Sequence, residues 1–62
     1  MDKPNYIAMD ANILLSIINM KLRDFYNNLG ALCEDMEINE EILKEKFSEV
    51  GYNYDETINQ FR

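Results

Sequence analysis

For most of this chain the apolar side chains recur at helical spacing. Between Asp10 and Tyr26, Leu14, Leu15, Ile18, Leu22 and Phe25 share one face at about 100° per residue. Ile13, Ile17 and Met20 fall on the opposite face, and Asn12, Ser16, Asn19 and Arg23 form a polar strip between the two. The spacing predicts a first helix over residues 10–26. Asp10 is its N-cap, because its carboxylate can accept the unpaired N–H groups of the first turn. Met9 and Leu14 stand where a hydrophobic staple would close, and Asn27-Asn28 end the helix. A helix apolar on two sides asks to be covered on two sides.

Leu29, Leu32, Cys33 and Met36 then repeat at i, i+3, i+4 and i+7, predicting a second helix over 28–37 capped by Asn28. Glu37 and Ile38 form a corner. A third helix is expected over 39–50, capped by Asn39, with Glu40 and Glu41 favoured in its first turn by the helix dipole. Ile38, Ile42, Leu43, Phe47 and Val50 make its apolar face, and Gly51 is its left-handed stop. Beyond Gly51 the period changes. Tyr52 and Tyr54 alternate with polar residues, Asp55-Glu56-Thr57 can turn, and Ile58 and Phe61 carry the apolar content of the return. Residues 52–62 therefore read as a short hairpin or extended tail, with a short helix from Asp55 as the alternative. Residues 1–9, with Pro4 and Asn5, read as an irregular arm.

The fold class expected is mainly α, in one domain over 1–62. It is a three-helix bundle whose second and third helices resemble a helix-turn-helix, followed by a C-terminal β-hairpin, hence winged-helix-like. A chain of 62 residues buries only about 60% of the surface its unfolded form exposes. Domains this small usually rely on a disulfide, a metal or a partner subunit. Cys33 is the sole cysteine and there is no histidine, so neither an internal disulfide nor a tetrahedral zinc set can be built. Oligomerisation or unusually good packing remains.

Charge decides what the helix-turn-helix shape is for. The net charge is −6, with 12 acids against 6 bases. Glu34, Asp35, Glu37, Glu40, Glu41, Glu45 and Glu49 crowd the second and third helices, with only Lys44 and Lys46 among them. Such a surface repels phosphate backbones and anionic membranes. A winged-helix-like DNA-binding regulator is accordingly the alternative reading, since DNA readers need Lys and Arg on the phosphates. No apolar run approaches the roughly 20 residues of a membrane span. The lone cysteine suits a reducing compartment, and Met1-Asp2-Lys3-Pro4 shows no secretion signal, so a cytoplasmic location is expected.

LLSIINMKLRDFY, LGALCEDMEI and GYNYDETINQFR resemble a family of short bacterial proteins known only as domain of unknown function number 4250. The likeness runs from Leu14 to Arg62. Its specific parts are KLRD at Lys21–Asp24, the Leu32-Cys33 pair, and the ending from Gly51-Tyr52 to Asn59-Gln60-Phe61. The resemblance implies an independent small domain and carries over no chemistry.

Cys33 lies on an apolar stripe beside Glu34 and Asp35, where both burial and neighbouring acids disfavour a thiolate. It reads as a core residue. The acids lack the Asp/Asn alternation and central glycine of a calcium loop, and read as a solvated face. Tyr52, Tyr54 and Phe61 lack the basic groove of a single-strand binder and read as docking residues. No catalytic, cofactor-binding or metal-binding residue is predicted. The candidate interface is Ile13, Ile17 and Met20, and the candidate polar recognition set is Asn19, Arg23 and Asn59. The function expected is a homodimeric protein-interaction module without catalysis, with a basic protein as the second kind of partner that the charge permits.

Overall fold

The computed structural model describes residues 6–62. A 3-10 turn at Tyr6–Ala8 leads into three helices, α1 (Ala11–Asp24), α2 (Leu29–Met36) and α3 (Glu40–Ser48). A two-stranded antiparallel hairpin follows, β1 (Tyr54–Asp55) and β2 (Gln60–Phe61). The architecture is the mainly-α bundle with a C-terminal hairpin that the sequence predicts. Residues 1–5 of the expected N-terminal arm lie outside the described residues.

All three helices start on a side chain that accepts backbone N–H groups. The Asp10 carboxylate accepts from Asn12 N at 3.0 Å and Ile13 N at 3.2 Å. Asn28 Oδ1 accepts from Ala31 N at 2.7 Å, and Asn39 Oδ1 from Ile42 N at 3.1 Å. Each cap pairs donors that the first turn would otherwise leave unsatisfied.

Helices α2 and α3 end alike. After α2, Ile38 N bonds Cys33 O at 2.9 Å and Glu37 N bonds Glu34 O at 3.3 Å. After α3, Tyr52 N bonds Phe47 O at 2.9 Å and Gly51 N bonds Ser48 O at 3.0 Å. This pair of bonds, six residues to one and five to two, is the Schellman arrangement, and it needs a left-handed residue at its pivot. The pivots are Gly51 at φ 88° and Glu37 at φ 56°. The pivot at Glu37 makes a three-residue corner to α3 and buries Ile38 beside Cys33.

The end of α1 departs from expectation. The helix was expected to reach Tyr26 with Phe25 on its core face, but it stops at Asp24 and Phe25 is 69% exposed. Phe25 N and Tyr26 N both bond Lys21 O, at 2.8 and 3.0 Å. The last turn thus widens, swinging Phe25 out and Tyr26 in against the core. Tyr26 then donates its hydroxyl to the Asp35 carboxylate on α2. That hydrogen bond, aided by partial burial, raises the tyrosine's pKa.

The core is built from Leu14, Ile18 and Leu22 of α1, Leu29, Leu32 and Cys33 of α2, Leu43 and Phe47 of α3, and Phe61 of β2. Phe61 meets Phe47 edge to face at 4.7 Å and Tyr54 at 5.5 Å. Ile42 and Val50, expected on the apolar face of the third helix, are exposed instead, as is Ile58 of the hairpin. Leu43 and Phe47 suffice for the buried stripe of α3, and Ile42 sits about 100° around the helix from Leu43.

The C-terminal segment is a hairpin and not a fourth helix. Tyr54 faces Phe61 and Asp55 faces Gln60, while Asn53 and Arg62 exchange both backbone bonds at 2.9 Å. Asp55 makes the turn as expected. Its Oδ1 accepts from Thr57 N and Thr57 Oγ1, and its carbonyl accepts from Ile58 N at 3.3 Å. Asn59 then takes a left-handed conformation, φ 54°, to re-enter the strand.

Candidate functional site

The polar residues that the sequence groups as a recognition set divide into two kinds. Asn19, on the hairpin side of α1, pairs with β2 as a third strand would. Its Nδ2 donates to Phe61 O at 3.1 Å and its Oδ1 accepts from Phe61 N at 2.8 Å. Gln60 Nε2 adds bonds to Asn19 O at 2.9 Å and Asn59 O at 2.8 Å. Asn59 Nδ2 donates to Leu22 O at 3.0 Å and Tyr26 O at 2.9 Å, and its Oδ1 accepts from Tyr54 Oη at 2.6 Å. Carbonyls at the end of a helix have no intrahelical partner, so Asn59 caps α1 from across the fold. A two-stranded hairpin alone is marginal in water, and these amides fix it to α1.

Arg23 stands apart. It is exposed and forms a two-bond pair with its neighbour Asp24, Nε to Oδ1 and Nη2 to Oδ2, both at 3.0 Å. The pair closes within one element, without ordering a second. Hydrogen bonding to Asp24 raises the guanidinium pKa, and Arg23 in return lowers that of the Asp24 carboxyl. Arg23 and Asn59 line one open groove with Phe25, Ile58 and Gln60, while Asn19 lies outside it. Phe25 was not singled out as a surface residue by sequence reasoning, and its helical phase gave no signal of it. Lys21 Nζ sits 5.6 Å from the centre of its ring.

The candidate interface residues lie together on α1. Ile13 is 57% exposed, Met20 is 38% exposed and Ile17 is half-buried. They point away from the side of α1 that carries Leu14, Ile18 and Leu22 into the core.

Cys33 is buried in the core, and burial pushes its thiol up to about 11, with Glu40 adding to the rise and Lys44 opposing it. A thiol this basic is a poor nucleophile at neutral pH. Among the described residues no three His, Cys, Asp or Glu side chains converge to hold a metal ion. No helix among them is long and apolar enough to cross a membrane.

Neither a curated protein nor a solved structure matches the chain. One family model does match, over residues 8–61, which takes in every helix and both strands. By that match the chain belongs to the family described as a domain of unknown function, DUF4250.

Proposed function

We propose that this protein is a small homodimeric interaction module, acting in the cytoplasm without catalytic chemistry of its own. In this reading it joins a second copy through Ile13, Ile17 and Met20 of α1. The observation that carries it is the exposure of Ile13 and Met20 on one outward helix face of a domain with a small core. Ile17 between them is half-buried, and covering the face with its twin on a second copy makes a two-fold interface.

The shape of a helix-turn-helix also supports the alternative of a DNA-binding regulator, through the three-residue corner Glu37–Asn39 between α2 and α3. Its charge argues the other way. Glu41 and Glu45 on α3 and Glu49 at its C-terminal cap are exposed, where phosphate-contacting bases belong.

Sedimentation over a wide concentration range tests the proposal. A dimer is expected, and Ile13→Asp, at an exposed position, is expected to weaken it at least about tenfold, since burying such a side chain is worth about 1.5–3 kcal/mol. A protein that stays monomeric at every concentration would sink the reading. Binding to duplex DNA that weakens steeply with salt would favour the alternative.

A further inference from the structure

We infer that the exposed face of α3 docks a cationic amphipathic segment of another protein, an apolar side chain seated on Ile42 and its bases against Glu41, Glu45 and Glu49. Ile42 is 47% exposed and forms a shallow groove with Ile7, Glu45, Lys46 and Glu49. The groove holds about 260 Å³. That is below the roughly 300–1,000 Å³ of ordinary small-molecule sites, so it suits one or two side chains and not a metabolite.

Charge complementarity names the occupant. Glu41, Glu45 and Glu49 follow one another at i, i+4 and i+8, a spacing at which like charges repel. No ion pair joins any of the three to a base among the described residues, whereas Glu40 on the other flank pairs with Lys44 at 3.1 Å. Among the described residues, Lys46 is the one base lining the groove. A partner carrying Lys or Arg around an apolar anchor would relieve the repulsion and cover Ile42 together. A second copy is a poorer occupant, because its matching face would set the same three acids against Glu41, Glu45 and Glu49. In helix-turn-helix proteins the second helix of the motif faces the ligand. Here that helix presents the opposite sign, which selects a cation in place of a polyanion. The face lies on α3, so it stands or falls independently of the proposed α1 dimer.

The test uses the isotope-labelled full chain titrated with a short synthetic helix of leucine on one face and lysine on the other. Amide shifts are expected to centre on Ile7, Ile42, Glu45, Lys46 and Glu49. Ile42→Ser, which leaves charge unchanged, is expected to weaken binding at least threefold. Glu45→Gln with Glu49→Gln should weaken it further and flatten its salt dependence. Glu34→Gln, on α2, should change it little. Shifts spread evenly over the acids of α2 and α3, or an Ile42→Ser variant that binds as well as the parent, would overturn the inference. So would concentration-dependent shifts on the same face without peptide, which would identify a second copy as the occupant.

Discussion

Asn59 meets two demands that few residues meet together. Its backbone is left-handed at φ 54°, a region asparagine tolerates better than most. Its amide supplies two donors to Leu22 O and Tyr26 O and one acceptor to Tyr54. Glycine satisfies the first demand and not the second. Aspartate has the acceptor and lacks the donors. Alanine satisfies neither, so it loses hydrogen bonds at about 1 kcal/mol each and incurs about 1–2 kcal/mol of left-handed strain. Asn59→Ala is therefore expected to cost about 4–5 kcal/mol, a large share of the stability of so small a domain. Asn59→Gly should cost roughly 1–2 kcal/mol less than Asn59→Ala. Thermal unfolding followed by circular dichroism measures both, and equal losses in the two variants would contradict the division into strain and bonding. Asn19 makes a related point. On the sequence it belongs to a polar strip of α1, and its partner Phe61 lies 42 residues away. Nothing local marks it as the residue that holds β2.

At the level of elements, what was legible in the sequence is what is settled within a few residues. Asp10, Asn28 and Asn39 each cap the turn that follows them. Asp55 organises its own turn, and Gly51 stops α3. The end of α1 was illegible because it depends on the hairpin. Asn59 bonds Leu22 O and Tyr26 O across 37 and 33 residues, and the turn it caps is the one that turns Phe25 out. The width of α3's buried stripe was illegible too, since periodicity gives the phase of a face and not how much of it neighbours will cover. The same distinction orders the consequences of substitution. Gly51 sits at φ 88° with nothing within 4 Å of where a Cβ would stand, so Gly51→Ala should cost about 1 kcal/mol of conformational energy with no clash added. Asn39→Ala should cost about the same through the lost cap. Because the two sites lie at opposite ends of α3, the double variant should lose about the sum, as measured by urea unfolding. A double variant no worse than either single one would mean that α3 frays at one end without cost to the fold.

For the whole molecule, electrostatics opposes folding where packing favours it. Acids outnumber bases 12 to 6. The ion pairs among the described residues, Arg23–Asp24, Lys44–Glu40 and Arg62–Asp55, are all solvent-exposed and individually worth about 0–1 kcal/mol at most. Against them stand the Glu41–Glu45 and Glu45–Glu49 repulsions, together about 0.4–1 kcal/mol, and the longer-range repulsion of the remaining acids. Two effects of pH follow with opposite sign. Hydrogen bonds from Thr57 lower the pKa of Asp55, and Arg23 lowers that of Asp24. Carboxyls so shifted stabilise the fold above the ordinary carboxylate range, and that contribution is lost as pH falls through their lowered values. Falling pH also lowers the excess of negative charge, which relaxes the general repulsion before those two contributions are lost. Stability should thus peak on the acid side of neutrality and fall at lower pH. Salt separates repulsion from pairing at constant protonation. At neutral pH, raising sodium chloride to a Debye length of about 3–5 Å screens the excess of like charges more than it weakens three exposed pairs. The melting temperature should then rise, by roughly 4–8 °C for each kcal/mol of repulsion removed from a chain of this size. Sodium chloride serves better than sulfate, which also strengthens apolar burial. If the melting temperature falls with sodium chloride, the exposed pairs outweigh the repulsion and this electrostatic account fails.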